Sequence, residues 1–273
     1  TSNGLLLLAI TIEARLHMPM YLLLGQLSLM DLLFTSVVTP KALADFLRRE
    51  NTISFGGCAL QMFLALTMGS AEDLLLAFMA YDRYVAICHP LTYMTLMSSR
   101  ACWLMVATSW ILASLSALIY TVYTMHYPFC RAQEIRHLLC EIPHLLKLAC
   151  ADISVNVISM GVANVIFLGV PVLFISFSYV FIITTILRIP SAEGRKKAFS
   201  TCSAHLTVVI VFYGMILFMY GKPKSKDPMG ADKQDLADKL ISIFYGVVTP
   251  ILNPIIYSPR NKDLKAAMRN LVA

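Results

Sequence analysis

The sequence predicts an all-α membrane protein: one seven-transmembrane helix bundle followed by a short amphipathic eighth helix. Three observations point there. The 273 residues are 58% hydrophobic. Only 14% are charged, against about a quarter in a soluble domain. Apolar runs of spanning length, roughly 20 residues per crossing, recur along the whole chain. Mean hydropathy is +0.70, which places the chain in the membrane class. The lipid bilayer is therefore an expected partner and nucleic acid is not.

The runs define the segments in order. Residues 1–12 are too short to cross alone and read as the inner half of a truncated first helix. A cleaved signal peptide is the alternative, but no basic n-region opens the chain. The second to seventh segments are predicted at 19–47, 58–88, 100–122, 155–187, 196–220 and 236–257, with the eighth helix at 261–271. Tilt or projection into the headgroups absorbs the excess length. Pro171, Pro250 and Pro254 fall inside segments, where freed backbone groups must find other partners. The connection 221–239 is long and charged and reads as solvated.

Orientation follows from cysteines, because charge does not decide it. Lys and Arg divide eleven to eleven between the two faces, so the positive-inside rule is silent. Cys58, Cys130, Cys140 and Cys150 fall on one face by helix parity. Disulfides persist in oxidising compartments, so that face is outside. Four cysteines allow three pairings, and spacing does not choose among them. Cys88, Cys102 and Cys202 lie at or near the other face as expected free thiols. The Asp82–Arg83 pair at the end of the third segment is then cytoplasmic.

Ionisable residues inside a membrane are costly and usually functional. Asp31, Glu72 and Asp73 are such residues. An ion or proton transporter could use them, but it would show inverted repeats and paired broken helices, and neither is found. No H-E-x-x-H, G-x-S-x-G or P-loop string occurs. An enzyme is not expected.

The strings L-H-M-P-M-Y (Leu16–Tyr21), L-S-L-M-D (Leu27–Asp31), M-A-Y-D-R-Y-V-A-I-C (Met79–Cys88), Ser178-Tyr179, K-A-F-S-T-C-S-A-H-L (Lys197–Leu206) and P-I-L-N-P-I-I-Y (Pro250–Tyr257) occur in order. In them the chain closely resembles the tetrapod-type odorant (olfactory) receptors of the rhodopsin-like (class A) G-protein-coupled receptors. The resemblance implies a small volatile odorant bound within the bundle, a stimulatory G protein and a rise in cAMP. It also implies the plasma membrane, in the cilia of olfactory sensory neurons. By the same resemblance, Asp82, Arg83, Tyr179, His205, Asn253 and Tyr257 form an activation switch, with Arg83 released when the sixth segment swings out. Arg195, Lys196 and Lys197 would meet the G protein. Cys58 would pair with Cys140, and Cys130 with Cys150. Asp31 and Glu72 would share a polar pocket near Asn253, holding a sodium ion or protons; no other cofactor is expected. The string His137–Glu141 has been read as a metal site in such receptors. A disulfide at Cys140 removes that thiolate, so no metal is expected.

Two positions depart from the pattern. Asp73 stands where an apolar or small residue usually follows the Glu. It lies about 100° around the helix from Glu72, directed away from Asp31 towards the fifth and sixth segments; a structural, hydrogen-bonded role near the pocket floor is expected, with ligand contact the alternative. Ser258-Pro259-Arg260-Asn261 alters the start of the eighth helix, where proline is tolerated.

Helical phase in the outer third of the bundle points Leu66, Gly69, Ser70, Asn164, Phe167, Tyr213, Ile216, Leu217, Tyr220, Ile243 and Gly246 inward. That lining is apolar with a few hydroxyls and amides, as in small-molecule pockets. Ala65 stands where amine receptors place a counter-ion, so a neutral or weakly polar ligand is expected.

Overall fold

A computed structural model of the chain describes residues 2–48, 53–129, 140, 142–146, 148–220, 264 and 266–267. Helices α1 (Ser2–Ile12), α2 (Pro19–Arg48), α3 (Phe55–Cys88), α5 (Ser99–Met125), α7 (Ser154–Leu187) and α8 (Ala192–Tyr220) form the bundle. Two short helices, α4 (Tyr93–Leu96) and α6 (Ile142–Leu146), lie in the connections. Among the described residues four helices are long and apolar enough to cross a membrane, over Pro19–Val37, Phe55–Cys88, Ser99–Met125 and Ser154–Leu187. The seventh segment (236–257) lies outside the described residues. Of the eighth helix only Leu264, Ala266 and Ala267 are described, all helical.

Helix starts are set by serine caps. The Ser54 hydroxyl accepts from the Gly57 amide at 3.1 Å, which begins α3 three residues before the apolar run does. A Cβ at Gly57 would lie 2.9 Å from that hydroxyl, so the close approach requires glycine. Ser191 caps α8 in the same way through the Gly194 amide at 3.1 Å, where a Cβ would come within 2.7 Å. Each cap is worth about 1 kcal/mol.

Pro171 shapes α7. It has no amide hydrogen to give to the carbonyl four residues back. Just before it, Val165–Gly169 widens to a π turn, and the Val170 amide bonds the Val165 carbonyl instead. The helix continues to Leu187 without a break.

α3 is the hub, packed against α2, α5 and α7. Ala71, Leu75, Leu76 and Ala80 on it are completely buried, and the alanines let neighbouring backbones approach. Trp110 Nε1 donates to Gln26 Oε1 at 3.3 Å and joins α5 to α2. By contrast Trp103, Leu104, Ile119 and Val122 of α5, with Leu173 and Phe177 of α7, are exposed. In water so extended an apolar surface would aggregate; here it faces lipid.

On the outer side Cys58 is bonded to Cys140, with Cα atoms 5.4 Å apart across a separation of 82 residues. Closing a loop of that length stabilises by about 4.5 kcal/mol on the chain-entropy model. The Cys140 amide also donates to Gln61 Oε1 at 3.1 Å, and Met62, Ile142, Leu145 and Leu146 pack around the bridge. Cys150 is disulfide-bonded too; its expected partner Cys130 lies outside the described residues. Cys88, Cys102 and Cys202 are free thiols.

Candidate functional site: an outer cavity, buried acids and a cytoplasmic latch

A cavity of about 80 Å³ lies beneath the disulfide. Leu66 and Ser70 of α3, Ser116, Ala117 and Tyr120 of α5, Ile142 of α6, and Met160, Ala163, Asn164 and Phe167 of α7 line it. The Tyr120 hydroxyl donates to the Ser159 carbonyl at 2.6 Å, which fixes α5 against α7 at this level. The bridge at Cys140 holds α6, and with it Ile142, over the cavity.

Of the residues predicted inward by phase, Leu66, Ser70, Asn164 and Phe167 line this cavity. Gly69 is half-buried on α3 and is not among the lining residues. Tyr213 is buried one level lower, and Ile216 packs against the core. Leu217 is a correction: it is 71% exposed. The buried stripe of α8 runs through His205, Val208, Val209, Phe212 and Tyr213, which turns position 217 out of the bundle. The side chain of Tyr220, and both Ile243 and Gly246, lie outside the described residues. Phase reasoning overlooked Ser116, Ala117 and Tyr120. A signal for them was present in the small residues Ala113, Ser116 and Ala117, which mark the inward face of α5.

Below the cavity are the three acids. Asp31 is 3% and Asp73 8% exposed. Glu72 lies within electrostatic reach of both, and its Oε1 is buried without a hydrogen-bond partner among the described residues. Asp73 interacts with the Tyr213 hydroxyl of α8. No cluster of three or more His, Cys, Asp or Glu able to hold a metal occurs among the described residues. Asn253 lies outside them.

The cytoplasmic end is organised around Asp82. Arg83 Nε donates to Asp82 Oδ2 at 3.0 Å, and Nη2 contacts the same oxygen. Both residues are buried. An exposed pair would contribute about 0–1 kcal/mol, whereas removing one partner of a buried pair costs about 3–5 kcal/mol. The other oxygen, Oδ1, accepts from the Tyr93 hydroxyl of α4 at 2.7 Å. Burial, and then the neighbouring Asp82 carboxylate, push the Tyr93 phenol above its ordinary value, so it remains a donor. Sequence reasoning overlooked Tyr93, because nothing in the string Pro90–Leu96 shows that a turn folds back under α3.

His205 lies near Arg83, lining the same cavity, and helps to hold α8 in place. Its Nε2 lies 3.1 Å from the Leu76 carbonyl of α3, and its Nδ1 lies 2.7 Å from the Tyr179 hydroxyl of α7. A carbonyl can only accept, so Nε2 carries the proton and Nδ1 accepts from Tyr179. The two rings stack at 5.8 Å with planes 11° apart. His205 thereby pins α8 to the backbone of α3. It shares with Arg83 a cytoplasmic cavity of about 680 Å³, lined also by Glu193, Lys196, Lys197, Ser200 and Thr201. Arg195 does not line this cavity: its Nη1 donates to the Ile189 carbonyl at 2.9 Å. Cys88 Sγ and Thr185 Oγ1, 3.3 Å apart, join α3 to α7 at the same level. Tyr257 lies outside the described residues.

Comparison with known proteins agrees with this architecture. The olfactory receptor family model matches residues 1–273. Human olfactory receptor 2AG1 is 75% identical over 99% of the chain and 84% of its own length. Human olfactory receptor 2AG2 is 71% identical over 100% and 84%, and human olfactory receptor 2S2 is 64% identical over 99% and 85%. Nothing in these matches supports a transporter. The chain belongs to the olfactory receptor family and is a multi-pass membrane receptor for odorants, not an enzyme.

Proposed function

We propose that the receptor binds a small, mostly apolar volatile in the cavity between α3, α5 and α7, and answers by activating a stimulatory G protein that raises cAMP. The observation that carries this reading is the stacking of two sites along α3. Ser70 and Leu66 line the outer cavity, while Arg83 is held at the inner end. Ligand contact with α3, α5 and α7 changes the relative stability of two bundle arrangements. In one, Arg83 is paired to Asp82 and His205 pins α8. In the other, α8 swings out, and the cavity lined by Arg83, Lys196 and Lys197 admits the G protein. The cavity's apolar wall, with Ser70, Ser116, Tyr120 and Asn164 as hydrogen-bonding groups, suits a ligand with one oxygen or sulfur atom.

A sodium ion or protons at Asp31 and Glu72 would supply the positive charge these carboxyls need in the membrane interior. Two carboxyls with one orphaned oxygen suit a singly charged ion completed by further oxygens. The plasma membrane of olfactory cilia is the proposed site of action, in contact with lipid along α5 and α7.

The experiment is odorant-stimulated cAMP in cells supplying the olfactory stimulatory Gα, for the intact receptor and Arg83→Ala. A response confined to the intact receptor is expected. Ligand-driven ion flux without any G protein would overturn the reading.

A further inference from the structure

Thr121 and Asn156 are buried polar residues that neither the cavity lining nor the latch uses. Asn156 of α7 is completely buried, and Thr121 of α5 is 7% exposed. Asn156 Nδ2 donates to Thr124 Oγ1 at 3.4 Å. Its other atom, Oδ1, has no hydrogen-bond partner among the described residues, and neither has Thr121 Oγ1. Buried polar groups are nearly always paired. Two orphans on facing helices therefore mark a place for a further group.

Two contacts fix where the orphans sit. α5 and α7 run antiparallel, joined at Thr124 and Asn156 and, one turn further in, at Tyr120 and Ser159. Thr121 lies between these two levels on α5. It stands one turn outward of Ala117, as Asn156 stands one turn outward of Met160. Ala117 and Met160 both line the outer cavity, so the orphans form the next layer towards the outer face. The wall between is thin. Ala117 has nothing beyond Cβ to block the way to Thr121, and Met160 is an unbranched, adaptable side chain in front of Asn156. The Tyr120 hydroxyl is already committed to the Ser159 carbonyl.

The chemistry of the orphans selects the ligand. An amide oxygen only accepts, whereas a threonine hydroxyl donates or accepts. A group that donates to Asn156 Oδ1 and accepts from Thr121 satisfies both, and a hydroxyl is the smallest that does. A ketone oxygen accepts from Thr121 and leaves Asn156 unpaired; a hydrocarbon leaves both unpaired. Sites that hydrogen-bond a ligand hydroxyl discriminate against the analogue lacking it.

We propose that Thr121 and Asn156 form a hydroxyl-recognising subsite at the outer end of the cavity, so that the preferred odorant is an alcohol whose carbon skeleton fills the apolar part. A resident water offers the same hydroxyl chemistry, and the experiment separates the two. The proposal rests on the receptor reading above and narrows its ligand class.

Odorant-stimulated cAMP is measured in cells expressing the full chain with the olfactory stimulatory Gα. The probes are the straight-chain secondary alcohols from pentanol to nonanol, the methyl ketones of the same skeletons, and the n-alkanes pentane to nonane. The alcohol of the best-responding skeleton is expected to be roughly tenfold more potent than its ketone, with the alkane weaker still. Asn156→Leu should lower that alcohol to the level of its ketone and leave the ketone within about twofold. Thr121→Val should weaken alcohol and ketone by a similar factor, since both accept from Thr121. Surface staining sets each response against equal receptor. Equal potency of alcohol and ketone in the parent overturns the proposal, as does a ketone stronger than its alcohol. A loss in Asn156→Leu shared by alcohol, ketone and alkane alike means a structural water or packing, and overturns it too. Should Asn156→Leu fail to reach the surface, an unchanged alcohol response in Thr121→Val overturns it instead. Silence towards every alcohol also defeats the proposal; cAMP driven by other odorants would then leave the receptor reading intact, whereas ion flux without any G protein would defeat both.

Discussion

His205 Nε2 donates to the carbonyl oxygen of Leu76 at 3.1 Å, a side chain of α8 bonded to the backbone of α3. The acceptor cannot be mutated away, so the bond depends on the residue at position 205 alone. The same ring accepts from Tyr179, and one imidazole thereby joins three helices.

His205→Ala should therefore loosen α8. Tyr179 keeps the Cys202 carbonyl as an acceptor at 3.3 Å, so the loss is that of the buried bonds to His205, about 1 kcal/mol. If that cost falls on the closed state, ligand-independent cAMP rises severalfold or more at equal surface expression. A fall in basal cAMP would show that His205 serves the open state instead.

Tyr93→Phe removes the donor on Asp82 Oδ1 and leaves that oxygen short of a partner. About 1 kcal/mol of support for the closed pair is lost, giving a rise of about fivefold in basal cAMP. The raised Tyr93 value places ionisation above the ordinary phenol range. Its bond is present at neutral pH and is lost only as pH rises through the folded value. The difference between parent and variant should accordingly stay flat from about pH 6.5 to about pH 8.5.

Cys140→Ser opens the bridge to Cys58. A loss of about 2–5 kcal/mol is expected, together with the anchor of α6 over the cavity. Immunostaining of intact cells should show most of the receptor retained inside. Cys102→Ser, which breaks no bridge, is the control and should reach the surface normally.

Ser70→Leu puts added side-chain volume into a cavity of about 80 Å³. Any agonist found by screening should lose at least tenfold in potency, while surface expression and basal cAMP hold. A potency change of less than twofold would place the ligand elsewhere.

The long helices among the described residues follow apolar runs that lipid forces, and the serine caps start α3 and α8 a few residues before those runs. The motif at Asp82–Arg83 was legible as well, and the resemblance supplied Tyr179 and His205, which the structure bonds to each other. Tyr93 was not legible, because it is reached through a turn that folds back, and the acceptor of His205 is a backbone carbonyl, which has no sequence signature. Phase reasoning found Leu66, Ser70, Asn164 and Phe167 because α3 and α7 are regular there. It also placed Leu217 inward, whereas the buried stripe of α8 through His205, Val208, Val209, Phe212 and Tyr213 leaves that position exposed. Ile142 was out of reach altogether: a loop residue enters the cavity wall only through a disulfide.

The widened turn at Val165–Gly169 holds one residue more than an α-helix of the same rise would. The cavity-lining residues Met160, Ala163, Asn164 and Phe167 lie at and above it, while Tyr179 and Thr185, which contact α8 and α3, lie below. An inserted or deleted residue at this turn can be absorbed by winding or unwinding it, without rotating the lower half. Descendants of this gene can thus re-face the cavity-lining residues of α7 by small length changes and keep its lower half in register.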